Sequence, residues 1–149
     1  MIKTYQIDVV NSLFSKMLEH KEDYVLDPIV DCQPEFQAII ETAIERKIQI
    51  RNSWLNRTEY KNLTNKFDWH NEQGVGGQGT VMPGTHTGIL WIDGSEDNGG
   101  DLGVMDATGS VSMIKFKKGK LITFPIEYLH KVEEYTGTQP RVSVNIAYE

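Results

Sequence analysis

Cysteine is almost absent from this chain, because Cys32 is the only one among its 149 residues. A single thiol cannot form an intramolecular disulfide, and it excludes zinc ribbons and CxxC redox motifs. The chain also lacks any run of about 18 apolar residues that would predict a membrane-spanning helix. The first residues, MIKTYQIDVVNSLFSKMLEH, carry charges where a signal peptide needs an apolar segment. We therefore expect a soluble, cytoplasmic protein in a reducing compartment.

Basic residues are too few to suggest a polyanionic partner. Lys and Arg total 15 against 21 Asp and Glu, which gives a formal net charge of −6. Sequence-independent binding to phosphate backbones or anionic lipid needs clustered positive charge. We therefore expect neither a nucleic acid nor a membrane as partner.

Two kinds of sequence follow each other along a chain that has the usual length of one domain. Apolar residues at helical spacing predict one helix over 9–20 and a second over 35–48. From residue 49, short segments rich in β-branched and aromatic residues alternate with Gly, Asn, Asp and Pro, which predicts roughly seven or eight strands. We therefore predict one mostly β (α+β) domain over 1–149, a sandwich or jelly roll in which helical support (about 1–48) precedes the β core (about 49–149).

Two glycine-rich stretches match known motifs only in part. GVGGQG, residues 74–79, fits GxGxxG, but Pro83 and further glycines follow where the dinucleotide fingerprint needs a helix N-terminus. DGSEDNGGDLG has Asn98 at the glycine position of a calcium loop and Val104 at the position of the bidentate glutamate. We predict an acidic hairpin turn in the second stretch, and over 73–85 a mobile loop that forms the lip of a substrate site.

The strongest candidates for chemistry lie in two distant parts of the chain. DWHNEQG places His70 and Glu72 two positions apart, so that on a strand both side chains project to the same side. His130, from a distant strand, can complete a set of three ligands. Two histidines and one carboxylate leave open positions on an octahedral metal ion, as in non-haem iron oxygenases, and they also describe catalytic zinc.

Polar and apolar residues alternate in the last segment, RVSVNIAY. Arg141 and Ser143 share one face, and the valines and Ile146 share the other. If the apolar face packs against the helices, Arg141 and Ser143 point into the β core, where a guanidinium is costly without an anion. A guanidinium with a neighbouring hydroxyl is a good receptor for a carboxylate. The alternative is an edge strand on which both side chains face water.

From about residue 67 to the end, the ordered motifs resemble the 2-oxoglutarate and Fe(II)-dependent oxygenase superfamily, and among its subgroups they look most like the prolyl-hydroxylase-type members. The matching pieces are HNE at 70–72, GILWI at 88–92, GGDL at 99–102, GKLITFP at 119–125, His130, and RVS at 141–143. The resemblance covers somewhat more than half of the chain. It implies a double-stranded β-helix with the two amino-terminal helices as support.

The resemblance also implies a role for each residue. Fe(II) would be held by His70, Glu72 and His130. The cosubstrate 2-oxoglutarate would chelate the iron and place its distal carboxylate at Arg141 and Ser143. The reaction would consume O2, release succinate and CO2, and usually end in hydroxylation, with ascorbate as a supporting reductant. Peptide prolines are among the substrates of the subgroup.

Three positions leave alternatives open. Most family members have Asp where this chain has Glu72, and the extra methylene shifts the carboxylate. His86 competes as the proximal ligand, in a pattern like that of the iron halogenases, or else it lines the entrance of the site. Tyr60 contacts the cosubstrate, as tyrosines do in some relatives, or it belongs to the core.

Three functional classes remain from the sequence: an oxygenase, a cupin-like module that binds a metal or small acid without turnover, and a hydrolytic zinc site. No HExxH motif is present, and zinc hydrolysis does not explain Arg141 and Ser143. The joint occurrence of a metal triad and a carboxylate receptor favours the oxygenase. The sequence identifies neither the primary substrate nor the oligomeric state.

Overall fold

The computed structural model describes residues 1–8, 12–59, 69–75 and 81–149. These residues form two helices and nine strands: α1 (Ser12–Met17), α2 (Gln33–Ile44), β1 (Lys3–Gln6), β2 (Tyr24–Leu26), β3 (Ile50–Thr58), β4 (His86–Asp93), β5 (Leu102–Met105), β6 (Val111–Ile114), β7 (Lys120–Pro125), β8 (Leu129–Val132) and β9 (Arg141–Tyr148). The prediction of a mostly β fold preceded by two helices is confirmed. Neither helix is both long and apolar enough to cross a membrane.

The strands form two antiparallel sheets. The large sheet has the order β1-β7-β4-β9-β3-β2, and the small sheet has the order β6-β5-β8. Strands β5 and β6 follow β4 in sequence but pair in the other sheet, so the chain passes from one sheet to the other and back. Such crossing between two antiparallel sheets is typical of jelly-roll-like folds.

The two helices cover the outer face of the large sheet. The apolar residues of β9 pack there against side chains of both helices, in one buried cluster that includes Val142, Val144, Ile146, Tyr148, Leu13, Phe14, Met17, Phe36 and Ile40. The alternation in RVSVNIAY therefore has the predicted meaning, because its apolar face packs against the helices. Strand β9 lies between β4 and β3, with all eight residues buried, so the edge-strand alternative is wrong.

A second apolar cluster lies between the two sheets. It combines Ile89 and Trp91 of β4 with Leu102 and Val104 of β5, and with Phe116, Ile122 and Phe124. The same interior also contains polar side chains, which are described below. The inner face of the large sheet is thus apolar near its β7 side and polar along β9.

Both helices end earlier than the sequence predicted. Helix α2 stops at Ile44 because Glu45 adopts the left-handed conformation, with φ of 56°, and its N–H bonds to the carbonyl of Glu41. Ile48 continues the apolar spacing only because it packs into the same core from the following segment. Of the helix predicted over 9–20, residues 9–11 lie outside the described part of the chain, and α1 ends at Met17.

Two strands were not predicted, because their sequences carry little periodicity. Strands β1 and β2 are short, mostly exposed and at the two edges of the large sheet, where pairing with β7 and β3 decides their conformation. Strand β8 contains His130, in agreement with the expectation that this histidine comes from a distant strand.

Two loop predictions have different outcomes. The acidic stretch after β4 is not a hairpin turn, because β4 and β5, which it joins, belong to different sheets. The predicted lip at 73–85 contains no helix or strand in residues 73–75 and 81–85. Residues 76–80 lie outside the described part, so a mobile lip stays a prediction.

Candidate metal centre

Three buried side chains from distant parts of the chain meet between the sheets. One ring nitrogen each of His70 and His130 and one carboxylate oxygen of Glu72 all lie within 4.8 Å of one another. All three residues are buried. In the segments that the structure describes, no other group of His, Cys, Asp and Glu side chains comes together in this way. The structure therefore brings together the three ligands that the sequence predicted.

Backbone hydrogen bonds fix the distance between the two histidines. The N–H of His70 donates to the carbonyl of His130 at 3.1 Å, and the N–H of His130 donates back at 2.8 Å. This isolated antiparallel bridge places the short segment at His70 beside β8. The two rings lie 4.3 Å apart, centroid to centroid. The bridge therefore holds the backbones of the two histidines at a fixed distance, from which both rings reach the same place in the interior.

Asn71, between the two proximal ligands, organises the turn that carries them. Its side-chain oxygen accepts hydrogen bonds from the N–H groups of Gln73 at 2.9 Å and Val75 at 3.1 Å. Its amide group donates to the carbonyl of Glu127 at 3.0 Å, which ties the turn to the connection before β8. Asn71 was missed in the sequence, although asparagine commonly makes such bonds in turns.

Glu72 lies among the three donors with its two oxygens in different contacts. Oε1 is 3.5 Å from Nε2 of His130, and Oε2 accepts a hydrogen bond from the hydroxyl of Thr87 at 3.3 Å. Burial raises the pKa of Glu72 to about 7, although the bond from Thr87 opposes this shift. No lysine or arginine of the described segments forms an ion pair with Glu72. The extra methylene of glutamate thus does not keep the carboxylate from the two histidines.

His130 is a neutral imidazole at physiological pH. Burial, together with the neighbouring His70, lowers its pKa to about 3. The 3.5 Å contact with Glu72 is therefore not an ion pair near neutral pH. The ring of Phe124 packs against His130 at 5.3 Å between centroids.

The residues of the triad fit a divalent metal ion. Two imidazoles and one carboxylate are the donor set of non-haem Fe(II) and of catalytic Zn(II). Neutral His130 is ready to coordinate, and a cation would supply the charge that keeps the buried carboxylate of Glu72 ionised. His70, Glu72 and His130 can hold such an ion through one atom each.

The triad lines a cavity of about 710 Å³ that also contains the predicted carboxylate receptor. Its wall includes side chains of β2, β3, β8 and β9. The lining residues are Asp23, Tyr24, Leu26, Trp54, Asn56, Thr58, His70, Glu72, Met82, Ile89, Leu102, His130, Val132, Arg141, Ser143 and Asn145.

Arg141 is a buried cation that forms no ion pair with the residues that the structure describes. Only 3% of the residue is exposed, and no described carboxylate lies within ion-pair distance of its guanidinium. Its Nε donates to the carbonyl of Gly100 at 3.0 Å, and the guanidinium lies 5.5 Å from the ring centroids of both Trp91 and Phe116. Burial lowers its pKa to about 10. A cavity-lining guanidinium in this state is a receptor for an anion.

Polar side chains continue along the cavity wall from Arg141. Ser143 follows on the same face of β9, and Asn145 donates to its hydroxyl at 3.4 Å. On the neighbouring strand, Thr58 pairs with Arg141 and Asn56 pairs with Ser143 in the sheet register. The sequence predicted Ser143, and the alternation in RVSVNIAY places Asn145 on the same face. Thr58 and Asn56 were missed, although alternation with outward-facing residues along β3 was an available indication.

Close contacts explain why the GGDL motif has two glycines. Gly100 has φ of 73°, and a Cβ added there would lie 2.9 Å from Cδ and Nε of Arg141. Gly99 has φ of 76°, and a Cβ there would collide with the carbonyl of Glu134. Both positions therefore require glycine, and Gly100 gives the guanidinium its place.

The structure rejects both alternatives for His86. Its side chain hydrogen-bonds with the Thr85 hydroxyl at 2.8 Å and stacks on the ring of Tyr148, in the face of the sheet that the helices cover. It belongs neither to the triad nor to the cavity wall. The neighbour of His86 in β4, Thr87, faces the triad instead. Tyr60 lies outside the described residues, so its role stays a prediction.

Comparison with known proteins supports the fold. No family model and no curated protein matches the sequence. Among solved structures, EctD from S. alaskensis with bound Fe has a TM-score of 0.68 at 12% identity, over 99% of this chain and 72% of that chain. The viral collagen prolyl hydroxylase vCPH from Paramecium Bursaria Chlorella virus-1, in complex with 2OG, has a TM-score of 0.59 at 12% identity, over 99% and 94%.

A third neighbour is a 2OG-Fe(II) oxygenase family oxidoreductase from Burkholderia pseudomallei, with a TM-score of 0.57 at 13% identity. The match covers 81% of this chain and 54% of that chain, so this chain spans about half of that neighbour's length. The structural neighbours are thus 2-oxoglutarate-dependent oxygenases, prolyl hydroxylases among them, and the expected resemblance is confirmed for the fold. Fe and 2-oxoglutarate are bound in neighbours, and the His-Glu-His group of this chain can hold the iron.

We expect that adding a divalent metal ion to the metal-free protein stabilises it, because the triad binds the ion in the folded state. At a metal concentration about 100-fold above Kd, Mn(II) or anaerobic Fe(II) should add about 2.7 kcal/mol to the free energy of unfolding. That gain corresponds to a rise of roughly 5–10 °C in Tm, measured by thermal unfolding. His130→Ala should abolish the rise, and the control His86→Ala should keep it. An equal rise in both variants would place the metal elsewhere.

The raised pKa of Glu72 predicts an unusual pH dependence in the metal-free protein. Its value of about 7 in the folded protein exceeds the unfolded value, so ionisation of Glu72 destabilises the fold as the pH rises. Glu72→Gln removes this penalty and should raise the free energy of unfolding by roughly 3 kcal/mol at pH 8, with little gain at pH 4. Urea denaturation at both pH values measures the difference. Exposed Glu133→Gln is the control, and a gain that does not depend on pH would contradict the assignment.

Proposed function

We propose that this chain is a non-haem Fe(II) and 2-oxoglutarate-dependent dioxygenase that hydroxylates a substrate and releases succinate and CO2. The observation that carries the proposal is the presence, in one cavity, of a His-Glu-His triad and of Arg141, a buried guanidinium with no counter-ion in the described part of the chain. A hydrolytic zinc site would leave Arg141 without a purpose. A non-catalytic metal-binding module would not need a carboxylate receptor beside the metal.

The proposed fold is a double-stranded β-helix in which residues 1–149 act as one domain. Two antiparallel sheets with chain crossings between them support this proposal, as do the two helices packed on the outer face of the large sheet. The site lies between the sheets, where apolar residues exclude water from most of the interior.

The proposed roles follow from the position of each side chain. His70, Glu72 and His130 hold the iron, and Arg141 pairs with the distal carboxylate of 2-oxoglutarate while Ser143 donates a hydrogen bond to it. Together, Fe(II), 2-oxoglutarate and O2 supply the oxidation of a substrate C–H bond. The protein binds and orients the reactants, and the burial of the three ligands limits the access of water.

The remaining cavity wall is the proposed substrate side. Asp23, Tyr24 and Leu26 line the cavity at the edge strand β2, and Met82 lines it beside the predicted lip. One structural neighbour is a collagen prolyl hydroxylase, so a peptidyl proline is the first substrate to test. The proposed compartment is the cytoplasm, with ascorbate as a supporting reductant.

Formation of the cosubstrate complex can be followed without oxygen. Anaerobic Fe(II) and then 2-oxoglutarate should produce the weak visible charge-transfer band of the chelate in the wild type and none in His130→Ala. Arg141→Ala loses charge-assisted hydrogen bonds and should need roughly 10- to 100-fold more 2-oxoglutarate. Arg51→Ala, which removes an exposed arginine paired with Glu149, is the control and should titrate like the wild type.

Turnover separates the oxygenase from the binding module. With Fe(II), ascorbate, O2 and 2-oxoglutarate, the wild type should form succinate, and a proline-containing peptide is the first compound to test for stimulation. His130→Ala should form none. A folded wild type that binds iron but shows neither the band nor succinate would contradict the proposal and would favour a cupin-like binding protein.

A further inference from the structure

Thr87 provides the side-chain hydrogen bond to the carboxylate ligand. It is 0% exposed, and its hydroxyl donates to Oε2 of Glu72 at 3.3 Å. The other oxygen, Oε1, lies 3.5 Å from Nε2 of His130. One oxygen of Glu72 thus faces the other ligands, and the second is held by the large sheet.

We propose that Thr87 is a positioning residue that keeps Glu72 a one-oxygen ligand. This inference rests on the proposed function. A carboxylate can bind a metal through one oxygen or through both, and a hydrogen bond to Oε2 favours binding through Oε1 alone. With two imidazoles, a one-oxygen carboxylate would supply three donors to the ion. Positions would then be left for a chelating 2-oxo acid and a further ligand.

The sheet holds Thr87 firmly in place. Strand β4 is paired on both sides, and Thr87 lies opposite Phe124 of β7 and Ala147 of β9. A β-branched side chain in a strand has little rotational freedom about χ1, so the direction of its hydroxyl is restricted. Phe124 packs against His130, so this one level of the sheet supports two of the three ligands.

The length of the glutamate side chain makes such support important. Glutamate has one more rotatable bond than aspartate, so its carboxylate can reach more orientations and more readily places both oxygens near the metal. The side-chain contacts of the carboxylate among the described residues are with Thr87 and His130, and its own backbone N–H also donates to it. Since His130 is itself a ligand in the proposed function, Thr87 is the described side chain outside the triad that holds one particular oxygen of Glu72.

Two substitutions at Thr87 separate the hydroxyl from the volume. Thr87→Val keeps the shape and removes the donor, whereas Thr87→Ser keeps the donor. Mn(II) affinity of the metal-free protein, measured by the electron paramagnetic resonance of free Mn(II), should fall about tenfold or more in Thr87→Val, because partners of metal ligands contribute at this level. Thr87→Ser should stay within about threefold of the wild type.

A buried threonine on the other face of the sheet is the matched control. Thr123, in β7, forms a side-chain hydrogen bond with Tyr148 away from the cavity. Thr123→Val should lower thermal stability and leave the Mn(II) affinity unchanged. The anaerobic 2-oxoglutarate titration is a second measurement: Thr87→Val should need more 2-oxoglutarate than the wild type although Arg141 is intact, because the second oxygen of Glu72 then competes for a metal position.

The outcomes separate this inference from the proposed function. If the wild type binds Mn(II) and forms the charge-transfer band, but Thr87→Val does the same at equal concentrations, Thr87 is only structural and the inference is wrong. If Thr87→Ser is as weak as Thr87→Val, the hydroxyl is not the cause and the inference is also wrong. A wild type that binds no metal would contradict the proposed function itself.

Discussion

The burial of uncompensated charge between two sheets is the constraint on which the rest of this structure depends. Glu72 and Arg141 both line one cavity, and neither has a charged partner among the described residues. The histidine beside Glu72, His130, is neutral. Burial moves both pKa values toward the neutral forms, which is the direction expected when charged groups lose water. A fold that carries this cost without ligands is arranged for a cation at one place and an anion at another.

Two apolar clusters stabilise the fold and offset the free-energy cost of the buried charges. One cluster joins the helices to the outer face of the large sheet, and the other fills the space between the sheets. Strand β9 serves both sides, since Val144 and Ile146 anchor the helices while Arg141 and Ser143 line the cavity. Because β9 lies between β4 and β3, its position is fixed by two neighbours, and a carboxylate receptor on it is correspondingly rigid.

Residue patterns were sufficient to find the triad and Arg141, and insufficient to find the residues that position them. The triad and Arg141 belong to motifs whose order along the chain carries information without knowledge of the fold, and the structure brings them into one cavity. Thr87 and Asn71 carry no such motif, because a threonine in a strand and an asparagine in a turn are ordinary. Their meaning depends on a partner that is distant in sequence or on the geometry of one turn. The sequence also offered His86 as a competing ligand. In the structure, alternation along β4 turns His86 away from the triad and turns Thr87 toward it.

The sequence by itself determined the mostly β class, the two helices and the faces of β9, because these follow from periodicities of local residues. It also determined the candidate ligands, because their chemistry is a property of the side chains. Only the tertiary structure decided where α2 ends, that the acidic stretch joins two sheets, and that the edge strands β1 and β2 exist. It alone decided which groups are buried without counter-ions and which hydroxyl supports Glu72. Apart from the end of α2, which depends on the backbone conformation of Glu45, these features arise from contacts between residues far apart in the chain, and such contacts leave no local pattern to detect.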